Sequence, residues 1–214
     1  MLAALLTLGA VAHAEPPAAC PRAVVSDRAV LDPLFDLLRL DRLERLKAQF
    51  SEEKQIALLA RPLRQTGTIY FDRTRGIARL TITPRPERMV LTATTLRIEK
   101  GHKLEEIRLD KSKALKAFAL VFPALLRGER AQLEAAFGLQ LLGTAKEAWS
   151  LALTPKDPAL CGLVSRVVVS GRGAQVASLK VTEASGDTTT TQFSGITKND
   201  AVPAAEVAQG FGGP

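Results

Sequence analysis

The stretch GTIYFDRTRGIARLTITPRPERMVLTATTLRIEKGHKLEEIRL, residues 67–109, decides the fold. Runs rich in Ile, Leu, Val, Thr and Phe, at 67–71, 77–83, 88–94, 96–99 and 103–109, are separated there by Gly, Pro and charged residues. β-branched and aromatic residues between turn formers make short strands. Lys100-Gly101 falls between two of the runs and predicts a tight hairpin.

Upstream, residues 50–59 add a further strand, and before them the period is helical. Asp32-Pro33 supplies a capping oxygen and a first-turn proline, after which Leu34, Leu37, Leu38, Leu40, Leu43 and Leu46 predict one amphipathic helix up to about Lys47. Downstream, Leu115, Phe118, Ala119, Phe122 and Leu126 fall on one helical face. Pro123 should kink or divide that helix, and residues 129–137 form a second one ended by Gly138. Strand patterns then return at 139–145, 148–153, 163–169, 175–182 and 188–195, with a turn at Ser185-Gly186-Asp187. The expectation is an α+β domain over residues 31–200, its large antiparallel sheet curling on itself and interrupted once by helices. Residues 201–214 are expected to be a frayed, flexible tail.

The N-terminus bounds where such a domain works. Residues 1–14 are uncharged and apolar and close on Ala12-His13-Ala14, the small-x-small pattern of a cleavable signal peptide. Removing them leaves about 200 residues, enough for one domain with a substantial core. Residues 15–30 then form an N-terminal arm. The net charge of +7 is scattered over single residues without aromatic interleaving, which argues against a nucleic-acid surface. Lipid head groups or an acidic protein suit an exported basic chain better. Cys20 and Cys161 are able to pair in an oxidising compartment. The alternative, acylation of Cys20, is opposed by the intervening Glu15-Pro16-Pro17.

Catalytic chemistry finds little support. The mature chain has a single histidine, His102, beside the Lys100-Gly101 turn, with no Cys, Asp or Glu at metal-ligand spacing, and no Gly-x-Ser-x-Gly elbow accompanies it. Glu52-Glu53 and Glu105-Glu106 are adjacent in strands and so point to opposite faces. They read as solvated strand-edge residues. Gly171-Arg172-Gly173 is a strand turn with no helix behind it to receive a phosphate. No enzyme, metal site or cofactor is expected.

The order of elements, one helix, six strands, a helical insert and five strands, resembles the LolA family of periplasmic lipoprotein carriers, in a divergent branch. Phe50–Leu63, Thr66-Gly67-Thr68-Ile69-Tyr70-Phe71, Thr83-Pro84-Arg85-Pro86-Glu87-Arg88, residues 149–155 and residues 186–193 carry the likeness. The resemblance implies a half-barrel of about eleven strands, incompletely closed, with helices over an apolar concave face that shields acyl chains. Its lining would be Leu80, Ile82, Met89, Leu91, Trp149, Leu151 and Leu153, with Phe118, Phe122, Leu126 and Phe137 from the lid. In the carrier family an arginine ending the second hairpin strand latches the lid, and counting from Gly67 places Arg73 there, with Thr74 where the family has proline.

By the same resemblance the chain is a soluble monomer in the Gram-negative periplasm. It would take lipoproteins or another lipid from an inner-membrane release complex to an outer-membrane acceptor. With one Trp and one Tyr, its cargo stays open between the two. The same curved sheet also occurs in lipid-responsive periplasmic modules that regulate a membrane protein, and this is the alternative. Expressed with its leader in a Gram-negative host, the secreted chain should begin at Glu15, which an intact-mass measurement checks.

Overall fold

The computed structural model describes residues 20–38, 42–119 and 121–212, the Phe118 side chain excepted, so the leader expected at residues 1–14 lies outside the described residues. Six strands come first: β1 (Arg45–Gln55), β2 (Leu63–Asp72), β3 (Gly76–Thr83), β4 (Glu87–Leu91), β5 (Thr95–Lys100) and β6 (Lys103–Arg108). Five more close the chain: β7 (Phe137–Gly143), β8 (Ala148–Pro155), β9 (Val164–Arg172), β10 (Gln175–Glu183) and β11 (Thr188–Lys198). All pair antiparallel in one open sheet of order β6-β5-β4-β3-β2-β1-β11-β10-β9-β8-β7. Helices α2 (Lys113–Ala119), α3 (Val121–Arg127) and α4 (Arg130–Ala136) link β6 to β7, the two outermost strands. A connection between opposite edges has to cross one face of the sheet.

Alternation along the strands makes that face apolar. Leu46, Ala48 and Phe50 of β1, Ile69 and Phe71 of β2, Leu151 and Leu153 of β8, and Leu179 and Val181 of β10 join one buried cluster with Val121, Leu125 and Leu126 of α3. The sheet curls around it. Met89 of β4 and Leu179 of β10 line the same small cavity, although five interstrand spacings would hold them about 24 Å apart in a flat sheet.

Helix α1 (Arg28–Leu38) lays Leu31, Leu34 and Leu38 on the same core. The expected single helix to Lys47 is corrected at both ends: α1 begins before Asp32 with Pro33 inside it, and the chain is already a strand at Arg45. Leu43 and Leu46 continue the leucine spacing and are buried, but Leu46 is buried from a strand. Arg130 of α4 ties α1 down, pairing with Asp32 and with Glu134 at 2.7 Å beneath the Phe35 ring.

The N-terminal arm covers the β7 edge. Ser26 N–H donates to the Leu139 carbonyl at 2.8 Å, and Ser26 Oγ accepts from Leu141 N–H at 3.0 Å. A Cβ at position 138 would come within 2.6 Å of Ala23 Cβ, so Gly138 is what lets the arm approach. Cys20 is bonded to Cys161 at the end of the short helix α5 (Pro158–Cys161), 141 residues away in sequence. An edge strand left bare would invite pairing with another chain.

The expected frayed tail is instead folded. Residues 199–201 form a short turn of helix and α6 (Ala204–Gly210) packs on the opposite, convex face, where Val202 and Val207 meet Tyr70 and Ala78. Gly210 lies against the Tyr70 ring, whose Cδ2 is 2.7 Å from where a Cβ would stand. Glu206 accepts from Lys47 Nζ and from the Tyr70 hydroxyl at 3.0 Å. No described helix is long and apolar enough to cross a membrane.

The α6 clasp sets a pH window. The Lys47 hydrogen bond, with that of Tyr70, holds the Glu206 carboxyl below its ordinary range. Burial and then the Glu206 bond push the Tyr70 phenol up, and the Glu206 bond raises Lys47. The carboxylate's contribution is complete above the ordinary Glu value of about 4.3 and is lost as pH falls through the depressed folded value. Those of Tyr70 and Lys47 are complete below about 10 and are lost as pH rises through the raised folded values. Hydrogen exchange at residues 204–210, corrected for intrinsic rates, should therefore show level protection across neutral pH and loss of protection at both extremes.

Candidate functional site

Between α3 and the middle of the sheet lies a groove of 520 Å³. Leu46 and Ala48 of β1, Ile69 of β2, Phe193 and Ile196 of β11 and Val176 of β10 form its floor, with Phe122 and Leu126 of α3 above. A second chamber of 60 Å³ adjoins it, with Ile69, Phe122 and Phe193 belonging to both walls. The Phe122 and Phe193 rings stack with centroids 5.8 Å apart and so divide the two spaces. The lining of the larger one is aliphatic and aromatic apart from its rim, where Gln175, Thr197 and Lys198 stand. Its size is that of a small-molecule pocket, and such a surface holds apolar chains.

Four of the expected lining residues stand in these walls. Met89 and Leu91 bound the small chamber, Leu126 bounds the large one and Phe122 bounds both. Trp149, Leu151 and Leu153 are on the core side of β8 and fully buried. Trp149 closes the β9–β10 hairpin, its Nε1–H donating to the Gly173 carbonyl at 2.9 Å and its ring lying over Gly171, whose missing Cβ makes room.

Leu80 and Ile82 are corrected: they are on the convex face, Leu80 against the α6 cluster and Ile82 60% exposed. The inward residues of β3 are Ile77, Arg79 and Thr81. Phe137 is also corrected, being the first residue of β7 and not part of a lid helix, and it lines a separate cavity of 240 Å³ against α2 and α4. The Phe118 side chain lies outside the described atoms.

Arg73 opens the turn after β2, where its Nε donates to the Leu43 carbonyl at 2.9 Å and pairs with Glu44 at 3.1 Å. These contacts tie it to the segment between α1 and β1. His102 is an exposed turn residue, and no metal-competent cluster of His, Cys, Asp or Glu occurs among the described residues.

Glu52 overturns the reading of Glu52-Glu53 as a solvated pair. Glu53 does pair at the surface with Arg64, but Glu52 is 6% exposed and faces inward, bonded to Arg79 Nη2 at 2.8 Å and to the Thr191 hydroxyl at 2.7 Å. The pattern contains the signal. Residues 46, 48, 50 and 52 alternate onto one face, so the apolar inward run of β1 carries on into a carboxylate. Phe193 is likewise inward because Thr189 and Thr191 are.

Replacing Phe122 removes the partition between the chambers. Phe122→Ala should lower unfolding stability by about 2 kcal/mol, roughly half the cost of a fully buried Phe. The same variant should bind more of an environment-sensitive hydrophobic dye, measured by fluorescence titration.

The family model described as "Outer membrane lipoprotein carrier protein LolA-like" matches residues 18–211. Among solved structures, MucB superimposes with a TM-score of 0.51 at 16% identity, over 86% of this chain and 64% of that one. A MucA/MucB complex from Pseudomonas aeruginosa gives 0.48 at 15% identity, over 84% and 60%. A LolA superfamily protein from Nitrosomonas europaea gives 0.46 at 11% identity, over 85% and 97%. The chain thus spans about three-fifths of the MucB chains and nearly all of the Nitrosomonas protein. The curated proteins contain no match.

Proposed function

This chain belongs to the family of LolA-like outer membrane lipoprotein carrier proteins, and on that premise we propose that it carries acyl chains through the periplasm, shielding them in the groove beneath α3. The observation that carries this reading is the 520 Å³ apolar space between helix and sheet. A core needs no such void, since interiors pack densely and an empty apolar cavity forfeits contacts. Each methylene moved there from water gains about 0.8 kcal/mol, so an acyl chain several carbons long fills it favourably.

The remaining parts fit transfer. A signal peptide at residues 1–14 delivers the chain to the periplasm, where it works as a soluble monomer. Arg73, bonded to the Leu43 carbonyl, latches the segment entering β1, whose Leu46 and Ala48 are groove floor. The loop from β1 to β2 and the start of β2 expose Leu58, Leu59 and Leu63, an apolar tip on which a membrane-bound donor or acceptor protein docks. The cargo is a lipoprotein or another acylated lipid, and the reaction is binding and release without catalysis.

Gentle purification followed by native mass spectrometry should reveal acyl species bound to the protein, and a hydrophobic dye should compete with them. Protein free of lipid that also ignores the dye would sink the proposal. Phe122→Asp, which places a charge between the chambers, should weaken binding of a fluorescent acyl probe at least tenfold, since that charge loses its hydration on contact with an apolar chain.

A further inference from the structure

Among the described residues, one buried ionic group interrupts the walls beneath α3. The side chains of Arg79 and Glu52 are 6% and 7% exposed, and both line the 60 Å³ chamber beside Met89, Leu91 and Leu179. Arg79 Nη2 donates to Glu52 Oε1 at 2.8 Å and to Gln65 Oε1 at 3.0 Å. Glu52 Oε2 accepts from the Thr191 hydroxyl at 2.7 Å, and the Phe50 ring lies 4.3 Å from the guanidinium carbon. One part of the group remains unmatched. Arg79 Nε and Nη1 are buried and have no hydrogen-bond partner, and between them these atoms carry three N–H groups.

A buried donor without a partner is a costly defect in a folded protein, and here it belongs to a side chain that lines a cavity. The missing partner is an acceptor. Its charge follows from the pair: Arg79 is already balanced by Glu52, so an incoming anion would leave an uncompensated negative charge in a low-dielectric site. A neutral oxygen brings no such penalty. Acyl chains attached through an ester or an amide end in one, the carbonyl oxygen, and the larger groove next to this chamber, with which it shares Ile69, Phe122 and Phe193, offers room for the chain behind it.

We propose that Arg79 is the residue that recognises the head of the acyl chain, donating from Nε or Nη1 to the ester or amide carbonyl and so fixing how deeply the chain enters. This rests on the acyl-carrier reading above and adds the chemistry selected. Cargo would then be chosen for a linked acyl group over a bare hydrocarbon or an ionised fatty acid.

The test uses the delipidated full chain with a bound fluorescent acyl probe. A hydrocarbon, the methyl ester and the ionised fatty acid of equal chain length compete for it. The ester should compete about tenfold better than the hydrocarbon, the size expected of one hydrogen bond from a charged donor, and better than the ionised acid. In the paired variant Glu52→Gln with Arg79→Met, which leaves no lone buried charge, that advantage should vanish while the hydrocarbon competes as before. No ester preference in the natural sequence, a preference that survives in the variant, or the ionised acid as best competitor would each overturn the proposal. Should the variant not fold, the comparison in the natural sequence decides alone. A probe that never binds removes the carrier reading and this one with it, whereas a probe displaced equally by all three removes only the role of Arg79.

Discussion

Everything in this molecule follows from one sheet having to hide one apolar face. Eleven strands in a single antiparallel sheet present far more apolar surface than one helix can cover, and among the described residues no second sheet stacks on it. The solution is to curl the sheet and run the helical insert from one outer edge to the other. Curvature brings β4 and β10 within reach of the same helix. Because three short helices cannot fill the trough of a sheet that wide, space is left over beneath α3, and the groove is that remainder. The open space is thus a by-product of how the core problem is solved.

Much of this was legible in the residues. The strand runs between Gly, Pro and charged turns mark every strand from β1 to β11, and the switch of period after Asp110 marks the helices between the two halves. What misled was parity and continuity. In β3 both faces are apolar, with Ile77 on one and Ala78, Leu80 on the other, so alternation alone does not say which faces inward. The ambiguity has a physical source. The convex face is covered there by α6, whose alanine-rich stretch after Pro203 gives only a weak periodic signal. Leucine spacing deceived similarly, since the three-residue step persists from Leu43 to Leu46 although Leu46 already stands in a strand.

Charge was the least legible element. Among alternating residues a glutamate reads as an outward position, and an arginine two places after an isoleucine reads the same way, yet Glu52 and Arg79 both point inward. Neither position is explicable alone. They face each other only because β1 and β3 flank β2 and curl toward the core, a relation between strands that no local pattern contains. A buried pair of this kind adds little net stability compared with apolar replacements, so stability alone does not account for its place in the cavity wall.

The arm along β7 has a further consequence for when this protein becomes itself. The bond holding it joins Cys20 to a cysteine 141 residues further on, in the second half of the chain. Until β8 and the turn after it have emerged and both thiols have met an oxidant, the sheet has an open flank. The arm is therefore secured only under oxidising conditions, and a reduced copy keeps a less guarded β7 edge, the kind of strand that can template self-association.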